Sequence, residues 1–317
     1  MAIWHCADLG DNATLLCQDS TCAVYKLVDD TGEGVMTCYT VLPGVWLLYH
    51  DFHMEHCLSG FQPATDMFCI DHCREGRLEW SLNNATCMYM ESGDMLINAR
   101  DDPRRHFRFP LRHYHGLTIA ISPDEINHAP TALLDGFPLD IYALRQKFSQ
   151  GGHSLIMRAG MRIEHIFSEL YDVPESIRAP LFRIKVLELL LFLNTVDAPA
   201  HAMERPYFHK THVEKAKEIM ALMTAHPERH YTLNELSARF SFPLTAMKAC
   251  FKGVYGISIY AYMKKYRMSL AAVQLRKTDQ SVTGIAQKLG YDNASKFASA
   301  FKSILRFTPG QYRRLRD

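Results

Sequence analysis

The chain has 317 residues, 48% of them hydrophobic, with 35 Lys+Arg against 34 Asp+Glu. That length accommodates two or three domains. The longest apolar stretch, Val186 to Val196, contains Glu188 and Asn194 and is too short to span a bilayer, which excludes a membrane helix there.

The near-neutral total conceals a split. From His212 onward there are 18 Lys+Arg and 7 Asp+Glu, while the first 211 residues carry 17 and 27. A basic C-terminal module on an acidic N-terminal one favours a polyanionic partner for the former. The start, Met1-Ala2-Ile3-Trp4-His5-Cys6, lacks a basic segment followed by an apolar run, so a soluble, cytoplasmic protein is expected. Nine cysteines are present, eight of them between Cys6 and Cys87. Without an export signal they are expected as reduced, mostly buried thiols.

Residues 1–135 read as a β-rich domain. Val41 to Tyr49 and Cys69 to Trp80 are strand-like segments, broken by Pro and Gly. His72 to Trp80 reads as strand, tight turn, strand. Glu91-Ser92-Gly93-Asp94 is a second turn, followed by the apolar strand Met95-Leu96-Ile97. Leu111 to Ile121 is a further strand, ended by Ser122-Pro123. Short strands at this spacing suggest a small barrel or sandwich.

Residues 136–196 change to helical periodicity, over Asp140 to Phe148, Met161 to Tyr171 and Ala179 to Thr195. In the last of these, Leu181, Ile184, Leu187, Leu191 and Leu190 form an apolar stripe for packing against the β-domain or for dimerisation. Residues 197–211, with two prolines and no apolar period, are the expected linker.

The module at 212–317 repeats one helical pattern. Phe251-Lys252 and Phe301-Lys302 lie 50 residues apart, each behind a shorter helix, near Leu233 and Val282. Thr232 and Glu235 have capping-box spacing. Leu233 to Phe240 is a support helix, Ser241-Phe242-Pro243 a break, and Leu244 to Val254 a second helix closed by Gly256. Ile257 to Arg276 is a long connecting helix, with Tyr262, Tyr266, Leu270 and Val273 at helical spacing. Val282 to Leu289, the turn at Gly290, the cap at Asp292 or Asn293, and Asn293 to Leu305 form the second unit. Thr308-Pro309 starts a last short helix. Two such units joined by one helix form a DNA-reading architecture.

This segment resembles the DNA-binding module of AraC/XylS-type transcription regulators. The matching positions include Phe251-Lys252, Gly256, Ser258, Tyr262, Arg267, Ala271, Leu275, Ile285-Ala286, Gly290-Tyr291, Phe297, Phe301-Lys302 and Thr308-Pro309 with Tyr312-Arg313. The likeness implies two recognition helices in successive major-groove segments of operator DNA, about one helical turn or roughly 34 Å apart. By position, it places Thr245, Lys248 and Ala249 of the first helix and Ser295, Lys296 and Ser299 of the second against bases. Lysine favours guanine O6/N7, whereas Ser, Thr and Ala discriminate weakly. Lys252 and Lys302 fit phosphate contacts better. Two departures stand out: Pro243 replaces the usual capping serine, and Arg306 replaces the usual glycine after the second recognition helix.

The same resemblance implies an α+β chain: an N-terminal β-rich, cupin-like barrel with dimerisation or packing helices, then an all-α double helix-turn-helix. Phe68 to Glu79 and Phe107 to Gly116 are similar to a siderophore-responsive subgroup. A small-molecule effector, RNA polymerase and a second copy of the chain are then the expected partners besides DNA. No catalytic residue, cofactor or resident metal is expected. The alternatives are a constitutive DNA-binding dimer and a metal- or thiol-sensing regulator.

Three N-terminal groups bear on those alternatives. His113 and His115 share one face of a strand and are candidates for ligand binding. A cupin's third metal ligand, a later Glu, is absent, since Ile119, Ala120 and Ile121 stand there. His50, His53, His56 and Cys57 would converge only if Asp51 to Gly60 were a loop. Cys69 and Cys73, with Arg74 adjacent, are compatible with a reactive thiol, although buried small hydrophobes are the simpler reading.

Overall fold

The computed structural model describes residues 9–10, 12–58, 67–83, 85–99, 106–128, 137, 139–148, 155–158, 160–196 and 207–315. The chain divides into two compact units, Met1–Leu82 with Met88–Tyr207, and Asn83–Cys87 with Phe208–Asp317.

The first unit is built on a curled, half-barrel sheet. Its leading strands are β1 (Ala13–Gln18), β2 (Cys22–Asp29), β3 (Gly32–Leu42), β4 (Val45–His53) and β5 (His56–Leu58). There follow β6 (Phe68–Asn83), β7 (Thr86–Glu91), β8 (Asp94–Ala99), β9 (His106–Arg108), β10 (Tyr114–Ile121) and β11 (Leu155–Arg158). Strands β1 to β4 run as an antiparallel meander, and β10 inserts between β4 and β6. The first part of β6 also pairs with β8, which pairs with β11. The second part pairs with β9, which pairs with β5.

Period-two alternation divides the side chains between two cores. From β10, Leu117, Ile119 and Ile121 join an outer core; from β4, Val45 and Leu47 join it too. Tyr114, Ala120, Trp46, Leu48 and Phe52 point to the inner core. The outer core is covered by α1 (Pro123–His128), α2 (Ile141–Phe148), α3 (Met161–Tyr171) and α4 (Arg178–Thr195).

Three local expectations are corrected. His72 to Trp80 is one continuous strand, not a hairpin. The strand is bulged instead at Arg74, which the register against β10 skips between the pairs His115–Glu75 and Gly116–Cys73, and two residues on Gly76 has φ 89°. A Cβ at Gly76 would lie 2.1 Å from His113 O, so glycine serves close approach here, not a turn. Asp51 to Leu58 is not a loop either, because β4 continues to His53 and β5 begins at His56; residues 59 and 60 lie outside the described residues. Third, α4 packs through Phe182, Val186, Leu189, Leu190 and Leu193, leaving Ile184 58% exposed. The helix is apolar almost all round, so spacing alone did not fix which stripe faces the core.

The second unit is all-helical apart from one short pairing. Its β12 (Phe208–His209) pairs with Thr86 and Cys87 at the start of β7. Within the linker expected at 197–211, residues 197–206 lie outside the described residues. The helices are α5 (Lys210–Ala225), α6 (Leu233–Arg239), α7 (Leu244–Tyr255), α8 (Ile259–Lys277), α9 (Val282–Lys288), α10 (Ala294–Leu305) and α11 (Pro309–Arg314). The connecting helix α8 buries Met263, Arg267, Ala271 and Leu275, while Val273 is exposed, a rotation from the stripe expected. Small alanines and a buried arginine hide this face from a hydrophobicity reading. The Arg267 guanidinium donates to Pro227 O at 2.6 Å and Arg229 O at 2.9 Å, tying the α5–α6 loop to α8.

Candidate functional site

Two support-and-recognition helix pairs repeat within the second unit. In the first, the Thr232 hydroxyl caps α6 by accepting from Glu235 N at 3.1 Å. The return arm of the expected capping box goes elsewhere, as Glu235 Oε1 accepts from Arg229 at 2.5 Å. The turn passes through Ser241 with φ 45°. Lys215 Nζ donates to Ser241 O at 2.9 Å, and Ser237 Oγ donates to Phe242 O at 2.7 Å. Helix α7 then starts at Pro243 with no side-chain cap, as a residue without a side-chain acceptor dictates. Met247, Cys250, Phe251 and Val254 are buried, whereas Thr245, Lys248, Ala249 and Lys252 are exposed.

The second pair is built from different parts. Ser281 caps α9, accepting from Gly284 N at 3.0 Å. Gly290, with φ 78°, makes the turn, and a Cβ there would lie 2.1 Å from Glu228 O. Asn293 Oδ1 caps α10, accepting from Ser295 N at 2.8 Å and Lys296 N at 3.0 Å. Phe297 and Phe301 are buried, while Ser295, Lys296, Ser299 and Lys302 are exposed. Arg306 ends the helix in the left-handed region, its N–H reaching Lys302 O at 2.9 Å. A full capping box then forms at Thr308 and Gln311.

All eight residues expected to face DNA therefore lie on the solvent side of the two second helices. Sequence reasoning overlooked two neighbours of the second. Tyr260, 75% exposed, and Lys264 line a groove together with Ser295, Lys296 and Ser299. They were legible in principle: Ile259 and Met263 are buried on α8, which leaves positions 260 and 264 stacked on another face.

The first unit offers a separate site. A cavity of about 80 Å³ lies inside the sheet, walled by Leu27, Met36, Leu48, Phe52, Leu78, Phe109 and Tyr114 among others. Its polar end is a buried chain. Thr118 Oγ1 donates to Asp71 Oδ1 at 2.6 Å, Asn98 Nδ2 donates to Asp71 Oδ2 at 2.8 Å, and His50 Nε2 lies 2.9 Å from Thr118 Oγ1. His113 and His115, the sequence candidates for a ligand, are on the outer face instead. Alternation sends Tyr114 inward and its two neighbours out, and His115 meets the Tyr171 ring edge-on at 5.6 Å. His50, His53, His56 and Cys57 do not converge: His50 and Cys57 line the cavity, and His53 is exposed.

The thiols follow the simpler reading. Cys69 and Cys73 are buried, and burial pushes the Cys73 thiol well above its ordinary range, an effect Arg77 offsets only in part. Burial likewise pushes Cys38 and Cys57 up to about 12.

Among the described residues no helix is long and apolar enough to cross a membrane. A family described as a helix-turn-helix domain matches residues 236–315. An uncharacterized HTH-type transcriptional regulator, YtdP of Bacillus subtilis, is 37% identical over 86 residues, 27% of this chain and 11% of that protein. A protein described as an AraC-like transcription regulator in Streptomyces lividans is 33% identical over 88 residues, 28% of this chain and 29% of its own length. The HTH-type transcriptional regulator ExsA of Pseudomonas aeruginosa is 28% identical over 135 residues, 42% of this chain and 48% of its own. This chain thus spans less than half the length of each of these relatives. Together with the paired helices, these matches make residues 236–315 a helix-turn-helix domain similar to that of AraC-like transcription regulators.

Proposed function

We propose that the chain is a cytoplasmic, sequence-specific transcription regulator whose DNA binding responds to a small molecule in the half-barrel. The observation that carries the DNA part is the pair of exposed helix faces. Thr245, Lys248 and Ala249 on α7, and Ser295, Lys296 and Ser299 on α10, are solvent-facing on helices fixed by aromatic cores. Among the described residues, no carboxylate engages Lys248, Lys252, Lys296 or Lys302. In this reading the six read bases, while Lys252 and Lys302 hold phosphates.

The effector part rests on the barrel interior. A constitutive binder whose β-domain only dimerises calls for a filled barrel, whereas this one keeps a cavity with a polar chain at one end. A compact, mainly apolar molecule with one polar end fits such a lining. Ile177, at the start of α4, and Ile184, on it, are exposed and support a homodimer; RNA polymerase is a further partner in this reading.

Selection of bound sequences from randomised duplex DNA, followed by footprinting, tests the reading. A selected site protected over two adjacent major-groove segments is expected. Enrichment of no sequence would refute sequence-specific binding. Thermal-shift screening of small amphiphiles tests the cavity, with Thr118→Val removing the response of any hit. A hit that stabilises this variant equally does not bind at the polar chain.

A further inference from the structure

The outer face of the barrel carries a cluster that neither DNA binding nor the cavity uses. β4 ends with Asp51 and His53 on that face, and His113 immediately precedes β10, its neighbour in the sheet. Their side chains offer one oxygen and two ring nitrogens, all within 4.8 Å of one another. The His53 and His113 rings lie 5.1 Å apart at 36°, and His53 Nε2 is 3.0 Å from Asp51 Oδ1. Glu75, on the strand flanking β10, stands 3.5 Å from His113 Nε2.

We propose that Asp51, His53 and His113 bind a divalent late first-row transition metal of the Zn²⁺ type. Tetrahedral Zn²⁺ bonds His nitrogen and carboxylate oxygen at about 2.0–2.2 Å, which sets ligand atoms roughly 3.3 Å apart. Closing from within 4.8 Å needs only side-chain rotation, which the exposed Asp51 and His53 are free to make. Two imidazoles and one carboxylate favour Zn²⁺, Co²⁺ or Ni²⁺ over Mg²⁺ or Ca²⁺, which prefer oxygen throughout. Glu75 is placed to orient the His113 ring or to add a fourth ligand.

Sequence reading separated these residues, pairing His113 with His115 and His53 with His50 and His56. The β4–β10 register, which pairs Tyr114 with Phe52, carries on to set His113 opposite His53, and on the other side the Gly76 backbone closely approaches His113 O. A second cluster, Asp29, Asp30 and His56, differs in kind. His56 already faces a carboxylate through each nitrogen, at 3.0 and 3.6 Å, and Asp29 Oδ1 accepts from Thr31 and Gly32 in a tight turn. It is a histidine set between two carboxylates beside a turn and serves as the internal control.

The test titrates the chelator-stripped full chain with Co²⁺ near neutral pH. One equivalent should bind with visible d–d absorption, without thiolate charge-transfer bands, and Zn²⁺ should displace it. His53→Ala and His113→Ala should each weaken binding by at least ~10-fold, while His56→Ala leaves it unchanged. Matched melting temperatures show that the variants are folded. Stoichiometric binding that survives the double variant, thiolate bands, or no binding below millimolar Co²⁺ would each overturn the proposal.

Discussion

Gly256 and Arg306 occupy the same position, one in each repeat. Both end a second helix in the left-handed region, at φ 80° and 66°, and both donate their N–H to the carbonyl of a lysine four residues earlier. The turns show the inverse exchange: Ser241 has φ 45° in the first unit and Gly290 has φ 78° in the second. Each unit thus places one left-handed glycine and one left-handed side chain, at opposite ends of its second helix. The backbone path was retained in both copies although the residue best suited to it was not.

That exchange gives the first prediction. A side chain in the left-handed region is disfavoured by about 1–2 kcal/mol, part of which glycine returns as unfolded-state entropy. Arg306→Gly should therefore stabilise the second unit by roughly 0.5–1 kcal/mol in urea denaturation. Gly290→Ala should destabilise it, because its Cβ would meet Glu228 O at 2.1 Å as well as the unfavourable φ. A destabilising Arg306→Gly would show that the arginine side chain has a native role outweighing its backbone strain.

The second prediction separates base reading from charge. Lys296 lies in the first turn of α10, beside its cap, and Lys302 in the last. Lys296→Ala should reduce affinity for the selected operator by about 1–3 kcal/mol and leave random DNA nearly unaffected. Lys302→Ala should weaken both alike and lower the salt dependence by about one unit. Equal losses on both DNAs for Lys296→Ala, in competition binding at fixed salt, would reassign it to phosphate.

What could be read from the chain depended on how the signal is carried. The second unit was legible because its caps, glycines and aromatic positions recur at local spacing, as at Phe251 and Phe301. The rotations of α4 and α8 were not, since Ile184 and Val273 are as apolar as the residues that pack. Nor was the barrel interior: Asp71, Asn98 and Thr118 come from three strands, and only register brings them together. His113 shows the same limit. Its strand neighbour His115 is two residues away in sequence, while its ring partner His53 is 60 residues earlier.

The third prediction concerns thiols. Among the described residues, Cys17 is exposed, Cys22 is half-buried with its thiol pushed up chiefly by burial, and the others are buried. Aromatic disulfide reagents should label Cys17 quickly and Cys22 slowly in the native chain. Cys38, Cys57, Cys69, Cys73, Cys87 and Cys250 should react only after unfolding. Fast modification of Cys73, located by mass spectrometry, would restore the redox-sensing alternative.

The last prediction follows from His72, which is 2% exposed between the sheet and α3. Its ring stacks on Phe167 with centroids 4.1 Å apart at 13°, and Nδ1 lies 3.2 Å from the Tyr171 hydroxyl. Burial holds the imidazolium form down to about 4, from an ordinary 6.5, and Arg74 acts in the same direction; Glu164, 3.4 Å from Nε2, offsets only part of this. The folded state therefore keeps His72 neutral where the unfolded chain protonates it. Above 6.5 neither state holds the proton and stability is unaffected. As pH falls from 6.5 towards 4 the unfolded state gains a proton that the folded state refuses, so stability drops, and below 4 the loss levels off. The full extent is on the order of 3 kcal/mol. Denaturant midpoints measured across that window should fall more steeply for the native chain than for His72→Asn, whose difference curve isolates this group from the carboxylates. Parallel curves would place the proton uptake elsewhere.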